Sequence, residues 1–212
     1  VAKWCRLGWD AIYVLCTDGS KGTDDRTITP GELAEIRAKE QINAGKTLGL
    51  KNVEFLGYPD GYLEPTLNVR KDISRQIRKW KPDVLITTSP SRDIGNSSYI
   101  GHPDHLAAGE AALSAVFPSA RDHLTFPELL EDEGLEPHKV REVWVMTYGD
   151  NANYWNPLTE QDVETSISAL QDHVSQISNP EEAGKWMKKR RAKLGEKIGA
   201  DYAESFLKFT LS

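Results

Sequence analysis

The 212-residue sequence predicts an α/β fold: a three-layer sandwich with a mainly parallel, Rossmann-like sheet. Three observations lead there. Short apolar runs alternate with longer amphipathic stretches, which is the order of βα units. The runs are continuous, as in strands covered on both faces. Loops rich in Gly, Ser, Asn and Asp follow them, where open parallel sheets place their sites.

Val1-Ala2-Lys3-Trp4-Cys5-Arg6-Leu7-Gly8 reads as the end of a helix with its glycine stop. A helix rarely opens a domain, so the expectation is a natural N-terminus upstream of Val1. Ala11 to Thr17 is the first buried strand, closed by Asp18-Gly19. After a polar loop, Thr29-Pro30-Gly31-Glu32 is a capping box with proline at the first helical position. The helix runs to about Leu48 and stops at Gly49. Leu33, Arg37, Glu40 and Ala44 share one of its faces. The charged pair on that face either ties the helix to a loop or serves a substrate.

Val53 to Leu56 is the second strand, and Gly57-Tyr58-Pro59-Asp60-Gly61-Tyr62 is turn chemistry at its end. Asp60 is a turn former or an acceptor for substrate. Val69, Ile73, Ile77 and Trp80 mark a helix stopped by Lys81-Pro82-Asp83. Val84 to Thr88 is the third strand. Asp104 to about Phe117 is the next helix, and Ser119 to Val140 reads as a surface excursion. Val143 to Thr147 is a fourth strand, followed by a loop from Asp150 to Pro157. Tyr154 and Trp155 in that loop cover the core or stack on a sugar ring. Val163, Ile167, Leu170 and Val174 mark a helix with His173 near its end, as a cap or core contact. Pro180 opens a charged helix to about Gly199, and Phe206 to Leu211 reads as a last edge strand. With no linker or internal repeat, residues 1–212 are expected to form a single domain.

The formal net charge is -6, which argues against a nucleic-acid partner. The basic run Lys185 to Arg191 reads as a solvated helix face. No apolar run is long enough to span a membrane. Cys5 and Cys16 read as core thiols of a reduced, cytoplasmic protein.

The chemistry centres on Gly101-His102-Pro103-Asp104-His105, which places two histidines and a carboxylate within four residues after an apolar strand. Imidazole is the commonest protein ligand for zinc, and a neighbouring carboxylate fixes its tautomer. Pro103 sets a backbone dihedral and Asp104 can cap the helix. His105 then sits in the first turn, where a rigid element can aim it into a pocket. The bland reading is an N-cap with two solvated histidines.

These residues resemble the PIG-L/LmbE family of zinc-dependent N-acetylglucosaminyl deacetylases. The resemblance rests on Thr17-Asp18-Gly19, on Arg37-x-x-Glu40 with Ala44 and Leu48-Gly49, and on Tyr58-Pro59-Asp60-Gly61. It rests above all on Gly101-His102-Pro103-Asp104-His105 with Ala108-Gly109-Glu110-Ala111, and on His173-Val174-Ser175-Gln176. It implies a metal-dependent deacetylase that releases acetate from an N-acetylated amino sugar through a metal-bound water, with Zn2+, or Fe2+ in its place. It makes His105 a metal ligand. It makes His102, oriented by Asp104, the group that stabilises the oxyanion and protonates the leaving amine. It places Arg37 and Asp60 on the substrate. The other ligands and the general base belong to an N-terminal His-Pro-Asp-Asp stretch, which is absent from these residues. Some members carry a tyrosine two residues before the first histidine; here Ile100 stands there, with Tyr99 one position earlier.

The resemblance thus implies a small-molecule amino-sugar partner, no nucleic acid and no membrane span, and it leaves homo-oligomerisation open. Two other readings stand beside it: a catalytically inactive sugar-binding or interaction protein on the same fold, and a metallo-β-lactamase-like hydrolase. The second wants a further histidine at position 100.

Overall fold

The computed structural model describes residues 1–92, 94, 100–147 and 151–212. It has the α/β class that the sequence predicts, with one parallel and one mixed sheet. The chain divides into two compact units, one of Val1–Asp60 with Trp155–Ser205 and one of Gly61–Tyr154 with Phe206–Ser212.

In the first unit, α1 (Ala2–Arg6) precedes β1 (Ile12–Thr17), α2 (Pro30–Leu48) and β2 (Asn52–Tyr58). β1 and β2 pair in parallel, from Ile12↔Asn52 to Thr17↔Tyr58, with a register shift near the carboxyl end. The helix is capped as its sequence dictates. The Thr29 side chain accepts the Glu32 N–H, and the Glu32 carboxylate accepts the Thr29 N–H at 2.8 Å. Gly49 closes the helix in the left-handed conformation at φ +80°, which costs glycine nothing. Two corrections apply here. β1 is less covered than its apolar run suggests: Val14 is 37 % exposed, and no residue of the strand is fully buried. Among the described residues β2 is its one partner strand. Arg37 and Glu40 share a face but reach separate partners, Arg37 a loop and Asp60, Glu40 the Ser175 N–H and hydroxyl at 2.6 and 2.7 Å.

The same unit holds α6 (Glu160–Gln171) and α7 (Pro180–Glu196). α6 packs on α2 and is tied to α1 by Arg6, which donates to the buried carboxylate of Asp162 at 2.9 Å. Three cations of the basic run on α7 are matched by acids of α7 itself, of α6 and of the strand Tyr202–Thr210. Lys185 faces Glu181 and Glu182, Lys188 faces Glu160 and Glu164, and Arg191 faces Glu204. His173 follows α6, with its Nδ1 buried and lacking a hydrogen-bond partner among the described residues.

In the second unit, α3 (Leu67–Trp80) buries Val69, Ile73 and Ile77. β3 (Val84–Thr87) pairs in parallel with β4 (Glu142–Met146), and α4 (Pro103–Ser114) lies between them in sequence. The segment after α4 is better anchored than a surface excursion. Its short α5 (Glu128–Glu131) buries Leu129 completely. The fully buried Arg78 donates to the carbonyls of Ser119, Ala120, Asp122 and Thr125.

The mixed sheet has the order β3-β4-β6-β5, with β5 at Tyr154–Leu158 and β6 at Tyr202–Thr210. β6 runs antiparallel to β4, pairing Val143 with Phe209 and Val145 with Leu207. It is therefore not an edge strand, and it begins before Phe206. β5 falls where the sequence reading had a loop. Tyr154 and Trp155 favour a strand, and Pro157 is tolerated because β5 is at the edge. Tyr154 lies 4.6 Å from the Trp144 ring, so it covers the sheet. No helix among the described residues is long and apolar enough to cross a membrane.

Candidate functional site

The residues singled out by the sequence fall into two clusters, one in each unit. In the first unit β1 ends at Thr17, and Asp18 organises the turn beyond it. Its carboxylate accepts the N–H groups of Ser20 and Asp60 at 3.0 and 3.1 Å. Partial burial pushes that carboxyl up, but the bonds from Ser20 and Asp60 outweigh it and hold it below its usual range. Asp60 Oδ2 accepts the Lys21 N–H at 3.2 Å and lies 3.5 Å from Arg37 Nη1. Arg37 in turn donates to the carbonyls of Gly19, Lys21 and Gly22. Arg37 and Asp60 are thus brought together. The guanidinium is also engaged by backbone. Asp18 was legible only as a strand terminator, and the Asp-Gly after an apolar run was the available signal.

In the second unit, His102 is the N-cap of α4, a place the sequence reading gave to Asp104. Its Nδ1 accepts the Asp104 N–H at 3.2 Å, and Pro103 takes the first helical position. In the neutral ring this puts the proton on Nε2. The carboxylate of Asp104 turns elsewhere. It is buried and accepts the N–H groups of Gly61 at 2.7 Å and Leu63 at 3.2 Å. The described contact between His102 and Asp104 therefore runs through the backbone, and the carboxylate braces the loop after β2. The rings of His102 and His105 are 5.4 Å apart, tilted by 45°.

Both histidines are exposed, so the pocket expected around His105 is not formed by the described residues. His105 is nonetheless fixed at the end of β3. The Thr88 hydroxyl donates to its carbonyl. One turn further on, the buried Gly109 lets α4 approach so closely that a Cβ there would lie 2.5 Å from the Thr88 carbonyl oxygen. Thr88 and Gly109 are positioning elements that the sequence reading missed. Ile100 is 84 % exposed; Tyr99 and Asp150 lie outside the described residues.

An exposed imidazole on the first turn of a capped helix is donor chemistry that zinc accepts, so His105 fits a metal as one ligand. A zinc site takes three or four protein ligands. Among the described residues no group of three or more His, Cys, Asp or Glu is assembled for one.

An α/β chain with a His-x-Asp-His turn at the end of a parallel strand falls in a recognisable class. The chain belongs to the PIG-L family, whose profile, described as GlcNAc-PI de-N-acetylase, matches residues 1–116. A diacetylchitobiose deacetylase of Thermococcus kodakarensis is 32% identical over 177 residues, covering 84% of this chain and 63% of that protein. A mycothiol S-conjugate amidase of Streptomyces coelicolor is 28% identical over 162 residues, covering 66% and 53%. The chain thus spans between about half and two thirds of the length of these two relatives. The solved structure of N,N'-diacetylchitobiose deacetylase from Pyrococcus horikoshii, with an inhibitor bound, superposes with a TM-score of 0.86 at 31% identity. It covers 99% of this chain and 76% of that one.

Proposed function

We propose that residues 1–212 belong to one domain of a zinc-dependent hydrolase that removes the acetyl group from an N-acetylated amino sugar or its conjugate. One observation carries the reading: His102 and His105 sit on the first turn of α4, pinned to the end of β3, in a chain similar to diacetylchitobiose deacetylases. A fold alone would not carry it, since one fold hosts many reactions.

In this reading His105 is a metal ligand, with Fe2+ as the alternative ion. In the family the remaining ligands and the general base belong to a His-Pro-Asp-Asp stretch, which is absent from these 212 residues. When bound, the ion supplies an activated water and polarises the amide carbonyl. The chain's own residues do the rest. His102, with its Nδ1 occupied by the Asp104 N–H, offers Nε2–H toward solvent as donor to the developing oxyanion. A donor of that kind contributes about 2.7–4 kcal/mol. To deliver a proton to the leaving amine the ring must first be protonated at Nδ1, which gives up the bond from the Asp104 N–H. Asp60 accepts sugar hydroxyls. The Asp104 carboxylate supports the loop after β2 through the N–H groups of Gly61 and Leu63.

The test is acetate release from N-acetylglucosamine and N,N'-diacetylchitobiose by the full-length protein, before and after chelation and after zinc is restored. The expected result is activity that falls on chelation and returns with the metal. Hydrolysis indifferent to the chelator rules out the mechanism.

A further inference from the structure

We propose that Asp18 is a positioning residue: it fixes the main chain at Asp60, so that the Asp60 carboxylate meets a substrate hydroxyl in one orientation. The proposal rests on the amino-sugar reading above.

Asp18 grips the chain on both sides of Pro59. Its N–H donates to the Tyr58 carbonyl at 2.9 Å, just past the Thr17↔Tyr58 pair of the sheet. Its Oδ1 accepts the Asp60 N–H at 3.1 Å. Pro59 lacks an N–H, so this corner is held from its two flanks. The same Oδ1 accepts the Ser20 N–H at 3.0 Å, and a single oxygen joins the turn after β1 to the turn after β2. The bond from Ser20 spans two positions and is ordinary turn chemistry. The bond from Asp60 spans 42 positions, so local turn formation does not account for it.

The side chain of Asp60 is held in its turn. Oδ2 accepts the Lys21 N–H at 3.2 Å and lies 3.5 Å from Arg37 Nη1. Among the described residues nothing donates a hydrogen bond to Oδ1, and the side chain keeps 17 % of its surface exposed. One oxygen is anchored and the other is left for a hydroxyl. Hydrogen bonds weaken steeply as their angle falls, so the acceptor gains from a main chain that cannot rotate beneath it. An acceptor already ordered also spares the complex the cost of ordering it. Placement and charge make opposite demands on position 18. Asp18→Asn keeps an acceptor oxygen in place and loses the charge. Asp18→Glu keeps the charge and moves the acceptor by one carbon–carbon bond, about 1.5 Å.

Acetate release by the full-length protein separates the two, in variants whose thermal unfolding is still cooperative. Asp18→Asn should keep KM for the N-acetyl sugar within about twofold of wild type. Asp18→Glu should raise KM about five- to tenfold with kcat within about threefold, the pattern of lost substrate binding. Asp18→Ala, which has no acceptor, stands in for Asp18→Glu if the latter does not fold. In an Asp60→Asn background the Asp18→Glu change should raise KM no further, because a residue that acts through another gives a non-additive cycle. Amide hydrogen exchange of the peptide across Asp60, read by mass spectrometry, should quicken about tenfold in Asp18→Glu and stay near wild type in Asp18→Asn. An Asp18→Asn variant that loses as much as Asp18→Glu overturns the proposal, since charge would then matter and placement would not. So does wild-type KM in Asp18→Glu, or a full further rise of KM in the Asp60→Asn background. If the wild-type protein releases no acetate, the amino-sugar reading fails, and the exchange comparison still decides whether Asp18 holds Asp60.

Discussion

The hydroxyl of Thr88 donates to the main-chain carbonyl of His105, so the end of β3 and the first turn of α4 share a bond at the candidate site. Gly109 makes that bond attainable by letting the helix lie against the Thr88–Pro90 backbone. Gly109→Ala should destabilise the protein by about 1–3 kcal/mol through overpacking against rigid main chain. Thr88→Val should cost about 0.5–1.5 kcal/mol, and Thr88→Ser much less. Urea unfolding of the three variants gives the ranking. A neutral Gly109→Ala would mean that α4 is not held at this height.

His102 is the N-cap of α4 and, in the proposed reaction, a donor as well, and the two roles can be separated. As N-cap it accepts the Asp104 N–H, so His102→Ala should cost about 1 kcal/mol of stability as well as rate. Asparagine caps well. His102→Asn should restore the melting temperature toward wild type while deacetylation stays low. Thermal unfolding and acetate release, measured on the same two proteins, check this.

His105 should behave differently. In the full-length protein, His105→Ala is expected to lower zinc affinity about 100-fold or more, because losing even an outer-sphere partner costs about 10–100-fold. His102→Asn should leave that affinity within a few-fold. Competition with a chelator measures both. Equal affinities in the two variants would overturn the assigned roles.

Asp162 gives a pH dependence with a definite sign. Burial pushes its carboxyl up, but the bonds from Arg6 and Thr159 outweigh this and hold it at about 2. Its unfolded value is near 3.9. A depressed folded value stabilises the protein above pH 4, and the contribution disappears as pH falls from about 4 to 2. The shift corresponds to about 2.6 kcal/mol. Asp162→Asn should remove that part of the acid sensitivity, as read by denaturant unfolding at pH 7, 4 and 2.5.

Glu40 and Ser175 tie α2 to the segment after α6 by two short bonds to a buried carboxylate. Ser175→Ala should cost about 1 kcal/mol and Glu40→Ala about 1–3 kcal/mol, since the latter strands the Ser175 N–H. Unfolding curves of the two variants settle the order.

What the sequence made legible was local. The Thr29–Glu32 box and the Gly49 stop are chosen by neighbouring residues, and both formed as read. The strands β2, β3 and β4 stand within a few residues of their apolar runs. Long-range choices were hidden. Asp104 finds its acceptor duty 43 and 41 positions away, at Gly61 and Leu63. Arg37 and Glu40 look like a pair because helical spacing puts them side by side, yet Glu40 reaches Ser175, 135 positions on. β5 was missed because Asn and Pro flank its aromatic residues. The candidate histidines were found because a four-residue motif carries them. Thr88 and Gly109, which set their height, are ordinary residue types whose value appears only when the backbone is folded.

The buried carboxylate of Asp104 also changes what its motif can be taken to mean. The tetrapeptide is a compound signal, in which the aspartate reports on architecture and, on the proposed function, the two histidines report on chemistry. A sequence could keep the aspartate, lose both imidazoles and retain the shape of this corner. Persistence of that single letter in a distant chain is therefore a sign of shared scaffold, and only the histidines beside it speak for an active enzyme.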